Sequence, residues 1–347
     1  MTQEQEAKGT SAAPSHPADA QGKPAAPGRQ GKPRQHDKVT RMGTESIPRL
    51  ITEFAVPSIL GMLVNGAYNV IDSIFLGQAM GEIGLSTATV AMPIMTVFMA
   101  IAMLVGNGGN ALAALRMGEG KPEEAERSLG NTVTLSLIAS VVVAIVMFVP
   151  ACIDGLLSVS GATPEDWDYA MQFIRIISLG FIFQCIGMGV NNFIRTAGAP
   201  NRALGTMIIG AVACTVFNAL FVLIMGMGVV GSALATVCGQ AISCATVLWY
   251  FCLTKGVPMR LRLRMMPLHG ETVRLILSLG LASFAVQAGM AAVNFVLNNL
   301  LNMYGAQSPI GAEGALASIG VVQRVASFVV LPLIGMSIAI QPLLGFN

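Results

Sequence analysis

Charge is what this sequence most lacks. Of its 347 residues, 54% are hydrophobic and 11% are charged, whereas a soluble domain carries about 25% charged residues. So little charge excludes an aqueous globular surface and makes the bilayer the solvent. Histidine is scarce as well. His16, His36 and His269 are the only three; two fall in an N-terminal tail and one in a polar connection, which excludes a histidine metal cluster within the apolar part. The six cysteines, Cys152, Cys185, Cys214, Cys238, Cys244 and Cys252, form no C-x-x-C pair and read as small hydrophobes in helices. There is no Ser-His-Asp set, no metal-ligand set and no ATP-binding loop, so the chain does not read as an enzyme. The stretch Gly106-Asn107-Gly108-Gly109-Asn110 lacks the Gly-Lys-Ser/Thr ending and the preceding strand of a phosphate loop, and reads as close helix packing. The net charge of +2 says little about partners; no nucleic acid is expected among them.

What the chain has is length in its apolar runs. Eight approach the roughly 20 residues a membrane crossing needs. They are Ile51 to Leu76, Leu85 to Val105, Thr132 to Pro150, Tyr169 to Ile194, Ala203 to Met225, Val229 to Leu253, Leu275 to Met303, and Ala315 to Leu344. The runs are too long for strands and lack strict alternation, so the fold class is an all-α polytopic membrane protein. Residues 1–45 are rich in Pro, Ala, Gly and Gln and read as a disordered tail.

Basic residues set the orientation. All Lys and Arg except Arg175 and Arg324 lie before span one or in alternate connections: between spans two and three, four and five, and six and seven. The intervening connections hold Glu82, Asp154, Glu165, Asp166, Asp168 and Glu313, with no Lys or Arg. The positive-inside rule places the N-terminus in the cytoplasm of a cell-membrane protein. Arg175 reads as an interfacial anchor near Asp168, and Arg324 needs a partner within its span.

Asp72 is the residue that suggests a function. A carboxylate within a span costs on the order of 3 kcal/mol and is kept there mainly when it carries a proton, a cation or a charged substrate. Asn65, Tyr68 and Asn69 share its helix face. The methionines, among them Met95, Met99, Met103, Met188, Met225 and Met227, read as lipid-facing, with an adaptable binding wall as the alternative. Shifting the chain by 225 residues lays Arg49-Leu50-Ile51 on Arg274-Leu275-Ile276, Ser58 on Ser283 and Asn69 on Asn294. Spans seven and eight therefore read as the start of a second copy of spans one and two, a construction common in transporters.

Four stretches, in order, resemble the multidrug and toxic compound extrusion (MATE) family. They are Pro57 with Asp72 fifteen residues on; Asn191-Asn192-Phe193-Ile194-Arg195-Thr196-Ala197-Gly198-Ala199-Pro200; Gly231-Ser232-Ala233-Leu234-Ala235-Thr236; and Gln341-Pro342-Leu343-Leu344-Gly345-Phe346-Asn347. The resemblance covers about Arg49 to Asn347. It implies two six-helix lobes: an N-lobe over 46–254, a linker over 255–274, and over 275–347 the first two helices of a second lobe, so that the chain reads as lacking about four helices. It implies an antiporter that admits H+ or Na+ and exports organic, often cationic, drugs, with no cofactor beyond that ion. Asp72 matches the family's helix-one acid. The expected ion-coupling set is Asp72, Tyr68, Asn69, Asn218 and Thr236. The expected substrate cavity holds Asn65, Asn191, Asn192, Gln287 and Asn294. Asn218 stands where many members carry a second acid, and an amide cannot carry a proton at neutral pH. The expected partners are a small cationic organic molecule and membrane lipid, and the protein is expected to be a monomer. The alternatives are a lipid-linked oligosaccharide flippase, disfavoured by the few basic residues within the spans, and an inactive or non-transporting fragment.

Overall fold

The computed structural model describes residues 47–254, 256–307, 309 and 311–346; within these, the side chains at 47, 48, 69, 313, 324, 327 and 346 are not described. The tail expected to be disordered and the side chain of Arg324 lie outside that description. Nine α-helices are described: α1 (Ile47–Gly118), α2 (Pro122–Phe148), α3 (Pro150–Ser160), α4 (Trp167–Gly189), α5 (Asn191–Thr196), α6 (Pro200–Asn218), α7 (Gly228–Leu253), α8 (Gly270–Gly305) and α9 (Gly311–Phe346). No strand occurs among the described residues. Seven helical stretches are long and apolar enough to cross a membrane.

The first of these, Arg49–Gly118, has 70 residues, over three times what one crossing needs. Gly81 resolves the excess. Its φ of 62° and ψ of −138° are non-helical, a conformation open to glycine and closed to side chains. A Cβ placed on Gly84 would lie 2.9 Å from the Leu76 carbonyl oxygen, though residues eight apart in a straight helix are about 12 Å apart. The chain therefore folds back at Gly81 into two arms, α1a (47–80) and α1b (82–118), and the seven stretches carry the eight runs expected from the sequence.

Two further breaks bear on function. Span four does not run unbroken: α4 ends at Gly189 and α5 restarts at Asn191. At the far end of α6 the helix widens into a π-segment, Ala219–Ile224, immediately after Asn218. Gly226 and Gly228, at φ 64° and 55°, then make the short turn into α7.

Glycines set the helix crossings by letting backbones touch. A Cβ on Gly106 would meet Gly189 of α4 at 2.5 Å, and one on Gly280 of α8 would meet the Leu104 carbonyl. Gly106 to Asn110 is thus a helix packed on several sides, as expected. The two copies also exchange contacts. α8 crosses α1b at Gly280, with Asn107 donating to Ser283 at 3.2 Å. α9 crosses α1a where a Cβ on Gly335 would meet Ile59 at 2.8 Å. Under the 225-residue shift, Ser283 falls on Ser58, beside Ile59, and Gly335 falls on Asn110, in the same turn of α1b as Asn107. Each copy's first helix therefore packs on the other copy's second.

At the end of the bundle where α1 folds back, Thr163 and Asp166 form a reciprocal capping pair ahead of α4. The Thr163 N–H donates to Asp166 Oδ1 at 2.9 Å and the Asp166 N–H to Thr163 Oγ1 at 3.4 Å. Ser86 of α1b donates to the other carboxylate oxygen at 2.7 Å. Burial holds the Asp166 carboxyl above its ordinary range despite these bonds. At the opposite end, the segment after α7 is strapped onto α2. Thr134 and Asn131 donate to the carbonyls of Met266 and Pro267, and Glu126 accepts the Arg260 N–H at 3.0 Å.

Candidate functional site

Five spans enclose one cavity with about 960 Å³ of empty space, continuous with its mouth. α1a, α1b, α4, α6 and α7 supply most of the wall, with α5 closing one end and Ile338 of α9 touching it. Tyr68 of α1a and Met103 of α1b both line it, which the hairpin at Gly81 makes possible. α6 and α7 meet through glycine: a Cβ on Gly239 would lie 2.6 Å from that of Cys214. Met62, Met103, Met188 and Met207 are in the wall. Met103 and Met188 therefore do not face lipid, while Met225 is 58% exposed.

One face of α1a organises the site. Gly61, Asn65, Tyr68 and Asp72 fall at steps of four, three and four residues, which keeps them on one side of a helix. Asn65 and Tyr68 line the cavity. Asp72 lies just behind the lining, half-buried, where Ser232 of α7 donates to its Oδ1 at 2.7 Å. The Cys214 side chain lies within electrostatic reach of Asp72 and against Thr236 and Asn218. Asn218 is buried, with its amide N–H on Cys214 Sγ at 3.6 Å and its carbonyl oxygen without a partner. Four of the five expected ion-coupling residues thus gather at one end of the cavity: Asp72, Tyr68, Asn218 and Thr236. Asn69 is helical, but its side chain is not described.

The other end is polar in a different way. Asn191 and Asn192 are buried in α5 and line the cavity. Their amide oxygens accept from Arg195 Nη1 at 2.8 and 2.7 Å. Asn191 donates to Thr206 Oγ1 at 2.6 Å, and Asn192 to Asn107 Oδ1 at 3.0 Å. Arg195 is 1% exposed and is the only charged residue in the cavity wall among the described residues. Val190 between α4 and α5 keeps right-handed helical angles, φ −79° and ψ −19°, so the helical path of span four carries on to Arg195. The sequence placed Arg195 in a connection between spans, and its charge hid the fact that its neighbours would bury it.

Gln287 and Asn294, expected in the cavity, are not among its lining residues. α8 packs on α1b and meets α9, and Asn294 Oδ1 there accepts from Gln323 of α9 at 3.3 Å. Gln184 and Gln240 do line the cavity, each with a buried Oε1 that has no partner. Neither stood out in a sequence rich in apolar runs; the breaks and glycine crossings that expose them to the cavity follow from packing. No group of three or more His, Cys, Asp or Glu side chains is placed to hold a metal ion among the described residues.

The model of the MatE family matches residues 57–220. The structure resembles that of the MATE multidrug transporter DinF-BH with a drug bound, at a TM-score of 0.81 and 33% identity, over 88% of this chain and 66% of that one. The chain belongs to the MATE family. The multidrug export protein MepA of Staphylococcus haemolyticus is 22% identical over 302 residues, 87% of this chain and 65% of that protein. A MOP superfamily transporter of Pyrococcus furiosus, described as having a binding pocket of reverse polarity, is 25% identical with a TM-score of 0.78 over 89% of this chain and 67% of that one. This MATE chain spans about two thirds of the length of the relatives it matches. It is a multi-pass membrane protein by its helices and its family.

Proposed function

We propose that this protein is an ion-coupled antiporter that exports organic molecules across the cell membrane by alternating access. The observation that carries the reading is Asp72: a carboxylate within the membrane, bonded to the hydroxyl of Ser232, beside a cavity between the spans. A proton or Na+ on Asp72 cancels its charge and changes what α1a and α7 gain by staying in contact. An ion moving down about 100 mV of potential supplies about 2.3 kcal/mol, enough to bias two packings of similar energy. Tyr68 and Thr236 link that acid to the cavity wall, and Asn218 offers a carbonyl oxygen and no second proton site. The names of the relatives, which include a multidrug export protein, support drugs as cargo. A lone guanidinium in the cavity wall is less than the several basic groups a lipid-linked phosphate flippase needs. The tail lies on the cytoplasmic side and the protein works as a monomer in this reading.

The test is the protein in proteoliposomes, with a pH gradient and a Na+ gradient imposed separately and efflux of a fluorescent organic cation followed. One gradient drives efflux in the wild type, and Asp72→Asn loses it. Full gradient-driven efflux in Asp72→Asn ends the mechanism.

A further inference from the structure

The Arg195 guanidinium has one edge satisfied and one edge without a strong acceptor. Nη1 spends itself on the two amide oxygens of Asn191 and Asn192. Nη2 reaches the Met207 thioether at 3.4 Å, a weak acceptor, and Nε has no partner at all. No acidic side chain pairs with it among the described residues. A charge this deeply buried is costly unless an opposite charge or strong acceptors meet it. The Nε–Nη2 edge presents two parallel N–H donors, the fork that a carboxylate fills with both oxygens. The Met207 thioether is what covers it: Gly61 packs so closely there that a Cβ would stand 3.7 Å from Nη2 and 2.9 Å from Met207 Sδ, and a ligand reaches the edge when that flexible side chain swings aside.

We propose that this edge of Arg195 is a binding site for the carboxylate of an amphoteric organic substrate. The site rests on the export reading above and narrows the cargo of the same cavity. Gly61 sits against Arg195, and Asp72 follows eleven residues later on the same helix face, about 16 Å along the axis. The cavity therefore has a cationic fork in its wall at one end and, just behind its lining at the other, the Asp72 carboxylate, with amides, Tyr68 and thioethers between. A molecule with an anionic head and a cationic or protonatable far end satisfies both. A simple cation satisfies one and leaves the Arg195 edge bare.

The test compares tetramethylrhodamine, which carries a free carboxylate, with its methyl ester, which carries the same fluorophore and cation without it. Binding to the purified protein is read by fluorescence anisotropy, and the quantity of interest is the ratio of the two affinities, in which general losses cancel. The wild type is expected to favour the acid at least tenfold. Arg195→Gln and Asn192→Asp, the second placing a carboxylate on Nη1, are each expected to bring the ratio near one. A wild-type ratio near one or below overturns the site without recourse to any variant, as does a ratio that Arg195→Gln leaves intact. Displacement of the acid by dihexanoyl phosphatidylglycerol, at concentrations where benzoate does nothing, would also overturn it in favour of a lipid phosphate. Gradient-driven efflux of the ester reports the export reading separately, so either can fail alone.

Discussion

Asp72, behind the cavity's lining, and Arg195, in its wall, are held on opposite principles. Asp72 accepts from the Ser232 hydroxyl, with the Cys214 thiol in electrostatic reach. Arg195 is clamped by two asparagines, which are themselves fixed by Thr206 and by Asn107 of α1b. A carboxylate bonded to a hydroxyl keeps that bond's geometry whether charged or neutral. A guanidinium never discharges, and its clamp joins α1b, α5 and α6. One end is built to change state and the other to keep still.

Substitutions that treat the ends alike will separate them. The largest effect on stability is expected at the still end. Arg195→Met strands the amide oxygens of Asn191 and Asn192 in a buried site, at about 1–3 kcal/mol each. The thermal midpoint in detergent should fall by roughly 5 °C or more. Asp72→Asn should move it by far less, because an amide oxygen still accepts from Ser232, while gradient-driven efflux is lost. Equal midpoint shifts would dissolve the distinction. Next comes Ser232→Ala, which removes a bond that stabilises the ion-free carboxylate; apparent affinity for the coupling ion should rise about tenfold, read from the gradient dependence of efflux, with dye binding little changed. The smallest effect is expected for Tyr68→Phe. It leaves the ring in the cavity wall and removes one hydroxyl, so dye affinity should fall by no more than about fivefold, measured by anisotropy.

The membrane spans and the acid end were legible in the sequence for one reason. Hydrocarbon punishes charge, so an apolar run shows a span and Asp72 stands out within one. The face Asn65–Tyr68–Asp72 follows from helical periodicity alone. Packing was less legible. Gly81 was not distinguishable from other glycines until its backbone angles were known, and the helical extension of span four through α5 to Arg195 runs past the apolar run itself. Arg195 shows the limit most clearly. By the statistics of charge it belongs at a surface, and here two asparagines of its own helix, with Met207 of α6 and Gly61 of α1a, surround it. Gln287 and Asn294 mark the converse case. Polar residues in a span signal a polar contact, and here the contact of Asn294 is another helix rather than the cavity.

The turns at the α1 hairpin end are short: a single glycine between α1a and α1b, and Gly226 to Gly228 between the π-segment and α7. The opposite end carries the strap, where Arg260, Arg262 and Arg264 stand exposed between α7 and α8. As a protease target the molecule is therefore one-sided. Trypsin meets a cleavable segment on the strap's face, and a cut there parts the first copy of the repeat from the start of the second without severing any membrane helix.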